Sequence, residues 1–428
     1  MTPGPLLSDE LVRALVAVGQ VDILVGVPTL DNADTVGKVV SAVHRSFATH
    51  FPRERTVLVN SDGGSKDGTP EIVRGASLRD DETLIAVDSL RTIHRISAPY
   101  RGVPGKGAAL RTLFAAADLL QARAVAVFDP DLTSMTPEWL PRLVGPVYGG
   151  QADFVAAAFL RPPLEGLLVT QLVRPLVRAA YGHRLHDPVA GEFACSGAFA
   201  SSCLDDPAWS GLLGQQGVEL WLPLEALARG RRVAQAPLGS RASAPRPQRP
   251  ALPEVFGQVV RALLDCLERH EAYWKGRAGS ERVPMAGELS PAADPGPAID
   301  PRAMIESFRA GVRDLAPLLE PILSEPTRRG IAALAGGAPP LHYPDELWAA
   351  TVYEAAGAYH RDVMHREHLV QALVPLYLGR AASFLVESAG RGADAVQDRL
   401  DELERGFEER KPDLIRAWTP GTHEVSHG

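Results

Sequence analysis

Short runs of consecutive apolar residues alternate along the chain with segments whose apolar positions recur at three and four residues. Residues 22–28 (DILVGVP) form one such run, closed by Pro28, which is the pattern of a buried strand stopping at a loop. Segment 35–47 follows with helical spacing, and Asp31 or Asp34 stands where a cap belongs. The strand pattern returns at 56–60 (TVLVN), 124–129 (AVAVFD) and 153–159 (DFVAAAF), and more faintly at 84–90 and 91–97. Helices are predicted from Pro70 onward and after the Gly-rich stretch RGVPGKG. Strands alternating with helices predict an α/β fold, with a mostly parallel sheet covered on both faces.

The pattern then becomes mixed. Residues 167–182 predict a helix kinked or divided at Pro175. Further helices are predicted over 217–230 and about 254–275, with a short edge strand at 232–239 and a Pro-rich extended loop at 242–253. Residues 276–301 are rich in Gly, Pro and Ala and read as a linker. Beyond them the pattern is nearly all helical. The predicted organisation is an α/β domain over 1–275 and a helical region over 302–428. No internal repeat is visible.

Composition narrows the classes. The chain has 428 residues and a net charge of −8, a poor balance for binding nucleic acid. Its three cysteines, Cys195, Cys203 and Cys266, match no disulfide framework or zinc spacing and read as buried reduced thiols. The N-terminal stretch carries Asp9, Glu10 and Arg13 within its apolar positions and reads as an amphipathic helix rather than a signal peptide. No uninterrupted apolar window reaches the ~18 residues of a membrane span. A cytoplasmic location is expected.

Three loops at predicted strand ends carry the chemistry. Asp129-Pro130-Asp131 directly follows AVAVF. In an extended segment both carboxylates project to one side, at the strand ends where open α/β sheets bind ligands. Such a pair suits a hard divalent cation that also takes phosphate oxygens. Pro104-Gly105-Lys106-Gly107 opens a helix, so glycine permits close approach, the helix N-terminus favours anions and Lys106 adds a point charge. It is no Walker loop, which removes the main support for ATPase chemistry. Asp62-Gly63-Gly64-Ser65 follows TVLVN, and an aspartate there can accept from a base or ribose, or simply shape a turn.

Taken in order, VGVPTLDNADTVGKVV, VNSDGGSKDGT and FDPDL resemble the GT-A glycosyltransferases of family 2. VPGKGAALRTL, FDPDLTSMTPEWL, LLVTQLVRPL, VAGEFA and GVELWLPLEAL bring the resemblance closer to the glucosyl-3-phosphoglycerate synthase and mannosylglycerate synthase families. The later helices, from LWAATVYEAA, resemble the helical C-terminal region of the mannosylglycerate enzymes. The resemblance implies retaining transfer of a hexose from a nucleotide-diphosphate sugar (GDP-mannose, or UDP- or GDP-glucose) to glycerate or 3-phosphoglycerate, with Mg2+ or Mn2+. Pro28, Thr29, Asp62, Gly105, Lys106, Asp129, Gly191 and Glu192 would then line the donor. Thr170 and Arg241 would meet the acceptor, and Asp129, Asp131 and Ser243 would hold the metal. Glu219 and Lys106 would stand at the reacting centre. The helical region would serve a homodimer contact or cover the acceptor.

Three positions depart from these families. Ser243, within PLGSRASAPR, stands where they place a histidine metal ligand. Asn32 replaces an early acidic residue. Leu168 stands where the phosphoglycerate enzymes carry a basic residue toward the acceptor phosphate. His183 and His186 read as loop residues. Two alternatives stay open: nucleotidyl transfer to a sugar phosphate, and a nucleotide-binding scaffold without turnover. Glycoside hydrolysis fits less well, because two carboxylates on one edge do not flank a glycosidic bond.

Overall fold

The computed structural model describes residues 6–75, 94–99, 105–162, 164–244, 251–289 and 299–419. The elements, in chain order, begin with α1 (Asp9–Val18), β1 (Ile23–Thr29), α2 (Ala33–His50), β2 (Thr56–Asp62), α3 (Thr69–Gly75), β3 (His94–Pro99), α4 (Lys106–Leu119), β4 (Ala124–Val127), α5 (Trp139–Tyr148) and β5 (Phe154–Leu160). A π-helical turn (Val169–Val173) leads into α6 (Arg174–Tyr181) and β6 (His183–Arg184). Then come β7 (Phe193–Ser196), α7 (Gly197–Cys203), α8 (Leu212–Gln216), α9 (Val218–Ala228), β8 (Val233–Ser240), α10 (Leu252–Arg269), α11 (Glu271–Lys275) and β9 (Glu281–Arg282). The remainder is helical: α12 (Arg302–Asp314), α13 (Ala316–Leu319), α14 (Glu325–Gly336), α15 (Asp345–His360), α16 (Arg366–Ser388), α17 (Ala393–Glu409) and α18 (Lys411–Trp418).

The chain forms two compact units. The first comprises Met1–Leu160, Val189–Gln248 and Val283–Leu289. Its seven-stranded sheet has the order β3-β2-β1-β4-β7-β5-β8. β1, β2, β3 and β4 run parallel, and β7 runs antiparallel between β4 and β5. Every residue of β1 is buried, as expected of a strand covered on both faces. Ile23, Val25 and Val27 join Val36, Val39, Val40 and Val43 of α2 in one core, together with Leu140, Leu143 and Val144 of α5. The opposite face meets α4, where a Cβ at Gly26 would lie 2.5 Å from Leu113. This parallel arrangement brings the carboxyl ends of β1, β2 and β4 to one edge.

Several local expectations are corrected. Neither Asp31 nor Asp34 caps α2: the cap position is Asn32, and the side chain that accepts from Ala33 N is Asp67, at 2.8 Å, from the loop after β2. Asp31 instead takes φ 51° and accepts from Lys66 N at 2.9 Å. The helix expected over 254–275 breaks at His270 into α10 and α11. Segment 276–301 is not a plain linker. Gln235 N donates to Pro284 O and Ala286 N to Gln235 O, binding this stretch to β8, while β9 pairs with β6. The expected strand 84–90 lies outside the described residues.

The second unit comprises Arg161–Pro188, Arg249–Arg282 and Ser290–Gly428. Its longest helix, α16, has the length and mean hydropathy (1.5) of a membrane span, but 83% of that window is buried inside the protein. It contains Arg380, a guanidinium with no exposed surface, and reads as a core helix.

Candidate active site

At the sheet's carboxyl edge, register pairs Thr29 with Asp62 and Pro28 with Ser61. Thr29 Oγ1 donates to Asp62 Oδ1 at 2.8 Å, and Asn60 Nδ2 donates to Thr29 Oγ1 at 2.7 Å. Asp62 also accepts from Gly64 N (2.9 Å), Ser65 N (2.8 Å) and Ser65 Oγ (2.6 Å). Four hydrogen bonds fill the acceptor capacity of a carboxylate. Asp62 therefore shapes the loop it begins, and Pro28 and Thr29 border that loop.

α4 begins at Lys106, with Gly105 before it at φ 153°. Pro104 lies outside the described residues. The second glycine of the motif serves packing, because a Cβ at Gly107 would lie 1.4 Å from Gly214 O of α8. Lys106 Nζ donates to both Asp129 Oδ1 and Glu219 Oε1. A quarter of its side chain stays accessible. Burial works against the ammonium, but Asp129, Glu219 and Glu192 outweigh it and lift the pKa above the usual lysine value, so it remains charged. Gly191 packs directly against this cluster, where only a glycine fits: a Cβ there would lie 2.8 Å from Asp129 Oδ2, 2.9 Å from Lys106 Nζ and 3.1 Å from Glu219 Oε1.

Arg241 completes the cluster. Its Nη2 donates to Asp129 Oδ2 at 2.6 Å and to Glu192 Oε1 at 3.1 Å, its Nε to Glu192 Oε2 at 3.2 Å, and its Nη1 to Ser243 Oγ at 3.0 Å. Glu192 is fully buried. Burial raises its pKa to about 7, helped by Asp129 and opposed by Arg241. Arg241, expected at the acceptor, thus stands among the expected metal and donor residues.

The Asp-x-Asp segment does not run extended. It turns at Pro130 and Asp131 and is tied to the tail of β8 by Thr133 N→Ala242 O and Ala244 N→Asp131 O, both 2.9 Å. The turn sets Ser243 opposite Leu132. Asp131 is 8% exposed, and its charge, like that of Asp129, helps hold Arg241 protonated. Asp129, Asp131 and Ser243 offer hard oxygen donors, and four acids surround two bases here. That chemistry fits Mg2+ or Mn2+. Among the described residues no three His, Cys, Asp or Glu side chains form a ready-made cage, so substrate oxygens would have to complete the coordination.

Thr170 belongs to the second unit, on the π-helical turn. It lines a small cleft with Arg161, Arg174 and His186. The Thr170 hydroxyl is buried without a hydrogen-bond partner. Arg161 is held by Asp187 (2.6 Å) and Arg174 by Glu404 (2.6 Å). Leu168, just before this turn, is apolar and buried. His186, read from sequence as a loop residue, lines this cleft, while His183 bonds Tyr273 at 3.0 Å.

Sequence reasoning missed Asn60, a buried polar residue ending an apolar strand, and the Arg241–Glu192 pair. The signal for Asn60 was present in its strand-end position. Nothing in sequence spacing links residues 192 and 241, because β7 and β8 are not neighbours in the sheet.

Residues 24–195 match Glycosyl transferase family 2. The chain is 30% identical over 261 residues to glucosyl-3-phosphoglycerate synthase of Mycolicibacterium paratuberculosis, covering 56% of this chain and 71% of that one. It is 32% identical over 260 residues to the Mycobacterium tuberculosis synthase, covering 54% of this chain and 76% of the other. A crystal structure of the M. tuberculosis synthase with Mn2+, UDP and glucosyl-3-phosphoglycerate aligns at TM-score 0.43 and 24% identity, over 63% of this chain and 87% of that one.

Proposed function

The chain belongs to the glucosyl-3-phosphoglycerate synthase family of family 2 glycosyltransferases, and from that membership we propose that it transfers a hexose, with retention, from a nucleotide-diphosphate sugar to a small three-carbon acid. UDP-glucose, GDP-glucose and GDP-mannose are the candidate donors, and glycerate and 3-phosphoglycerate the candidate acceptors. The reading rests on Lys106, clasped between Asp129 and Glu219 at the carboxyl edge of the sheet with a quarter of its side chain accessible. A fixed and partly accessible cation suits a leaving diphosphate.

The bond from the sugar's anomeric carbon to the diphosphate oxygen breaks. The acceptor hydroxyl oxygen bonds that carbon on the same face, and its proton passes to the departing oxygen, so no separate base is required. Lys106 holds positive charge where the diphosphate gains negative charge, and Glu219 fixes the ammonium. Arg241 keeps the buried Glu192 and Asp129 in place at the wall of the site. Asp131, Asp129 and Ser243 would hold Mg2+ or Mn2+, which would neutralise diphosphate charge when bound. The cleft around Thr170 would receive the acid group of the acceptor, through its hydroxyl, Arg161 and Arg174. The compartment proposed is the cytoplasm, which suits three buried cysteines that form no disulfide.

The test is incubation with each radiolabelled sugar nucleotide, Mn2+ or Mg2+, and glycerate or 3-phosphoglycerate. Label is expected on the acid, with retained anomeric configuration. Pyrophosphate exchange would replace this reading with nucleotidyl transfer, and nucleotide binding without turnover would replace it with a scaffold role.

A further inference from the structure

The turn that carries Thr170 is of an uncommon kind. Two i→i+5 bonds widen a helix by one residue and recur at functional sites. Here Arg174 N donates to Val169 O across such a bond. Pro175 is the second residue of α6 and has no N–H, so the carbonyl of Gln171, four residues earlier, lacks its ordinary helical donor. The indole of Trp348 on α15 supplies one, with Nε1 donating to Gln171 O at 2.7 Å.

The Gln171 side chain is held as well. It has no exposed surface, and its Oε1 accepts from Arg380 Nε on α16 at 3.0 Å. Arg380 is equally buried. Its Nη1 donates to Tyr343 O at 2.6 Å and its Nη2 pairs with Asp345 at 2.8 Å. Asp345 is gripped in turn by Arg399 through two bonds of 2.7 and 2.6 Å. A buried guanidinium persists only where its donors and charge are matched. This one joins a chain of charges on α15, α16 and α17 to the residue directly after Thr170.

We propose that Trp348 and Arg380 are positioning residues for the acceptor, an inference that rests on the proposed role of the Thr170 cleft. Gripping Gln171 by both its carbonyl and its side chain fixes the widened turn. Reversion to a regular α-helix would remove one residue from the turn and rotate Thr170 by about 100°, taking its hydroxyl away from Arg161 and Arg174.

Trp348→Phe keeps the ring and removes the N–H. It is expected to raise the KM for the acid acceptor about tenfold, the scale of one lost hydrogen bond to a carbonyl, with the donor KM and kcat within about twofold. Thr170→Val is expected to raise the same KM. The double variant should be no worse than Thr170→Val alone, because the clamp acts through that hydroxyl. If Trp348→Phe fails to fold, Arg380→Lys, which keeps the charge by Asp345 but shortens the reach to Gln171, carries the same comparison. An unchanged acceptor KM in the clamp variant, or effects that multiply in the double variant, overturns the positioning role. An unchanged acceptor KM in Thr170→Val overturns the acceptor reading of the cleft, and the inference with it.

Discussion

Glu192 meets Arg241 through both carboxyl oxygens while having no contact with solvent. Its raised pKa, from 4.5 to about 7, sets a direction for stability. A carboxyl that holds its proton more tightly when folded stabilises the fold fully below its unfolded pKa, and loses that contribution as pH rises through the folded value. In buffer free of divalent cations, the stability of Glu192→Gln relative to the parent is therefore expected to grow between pH 4.5 and about 7. The gain is at most about 3 kcal/mol. Chemical denaturation of both proteins across that range checks it, and a difference that stays flat would show that Arg241 cancels the burial penalty. Sequence could not supply this pair. Glu192 was assigned by resemblance to the donor and Arg241 to the acceptor, and their meeting depends on the approach of two segments from different parts of the sheet. Asp62 shows the opposite limit. Its place at a strand end was legible, but its four hydrogen bonds to Thr29 and the following turn were not.

α4 illustrates what an element's sequence does and does not reveal. Glycines before and after Lys106 suggest a ligand loop, and Lys106 does face the charge cluster. Gly107, however, is required by α8, whose Gly214 carbonyl occupies the space of a Cβ. Gly107→Ala is expected to force these helices apart at a cost of about 2–3 kcal/mol, read as a fall in thermal midpoint. Preserved stability would mean that α8 moves aside freely. The strands were the most legible elements, because β1, β2, β4 and β5 are buried on both faces and so appear as unbroken apolar runs. The π-helical turn was not legible. A proline within an apolar helical pattern predicts a kink, whereas the widened turn depends on Trp348 and Arg380, more than 170 residues away in the chain.

For the whole molecule, composition suggested that the chain divides at 276–301, because Gly and Pro dilute the apolar pattern there. Val283–Leu289 belongs instead to the first unit, and Arg249–Arg282 to the second. Truncation after Lys275 would remove the Pro284 and Ala286 partners of Gln235 on β8. It would also strip Gln171 of both Trp348 and Arg380. The shortened chain is expected to lose cooperative unfolding rather than behave as a trimmed enzyme, and a calorimetric scan showing one sharp transition near that of the full chain would refute this. The path also constrains dissection. Because the helical unit is assembled from three separate stretches, two of them internal, no single cut in the chain releases it whole.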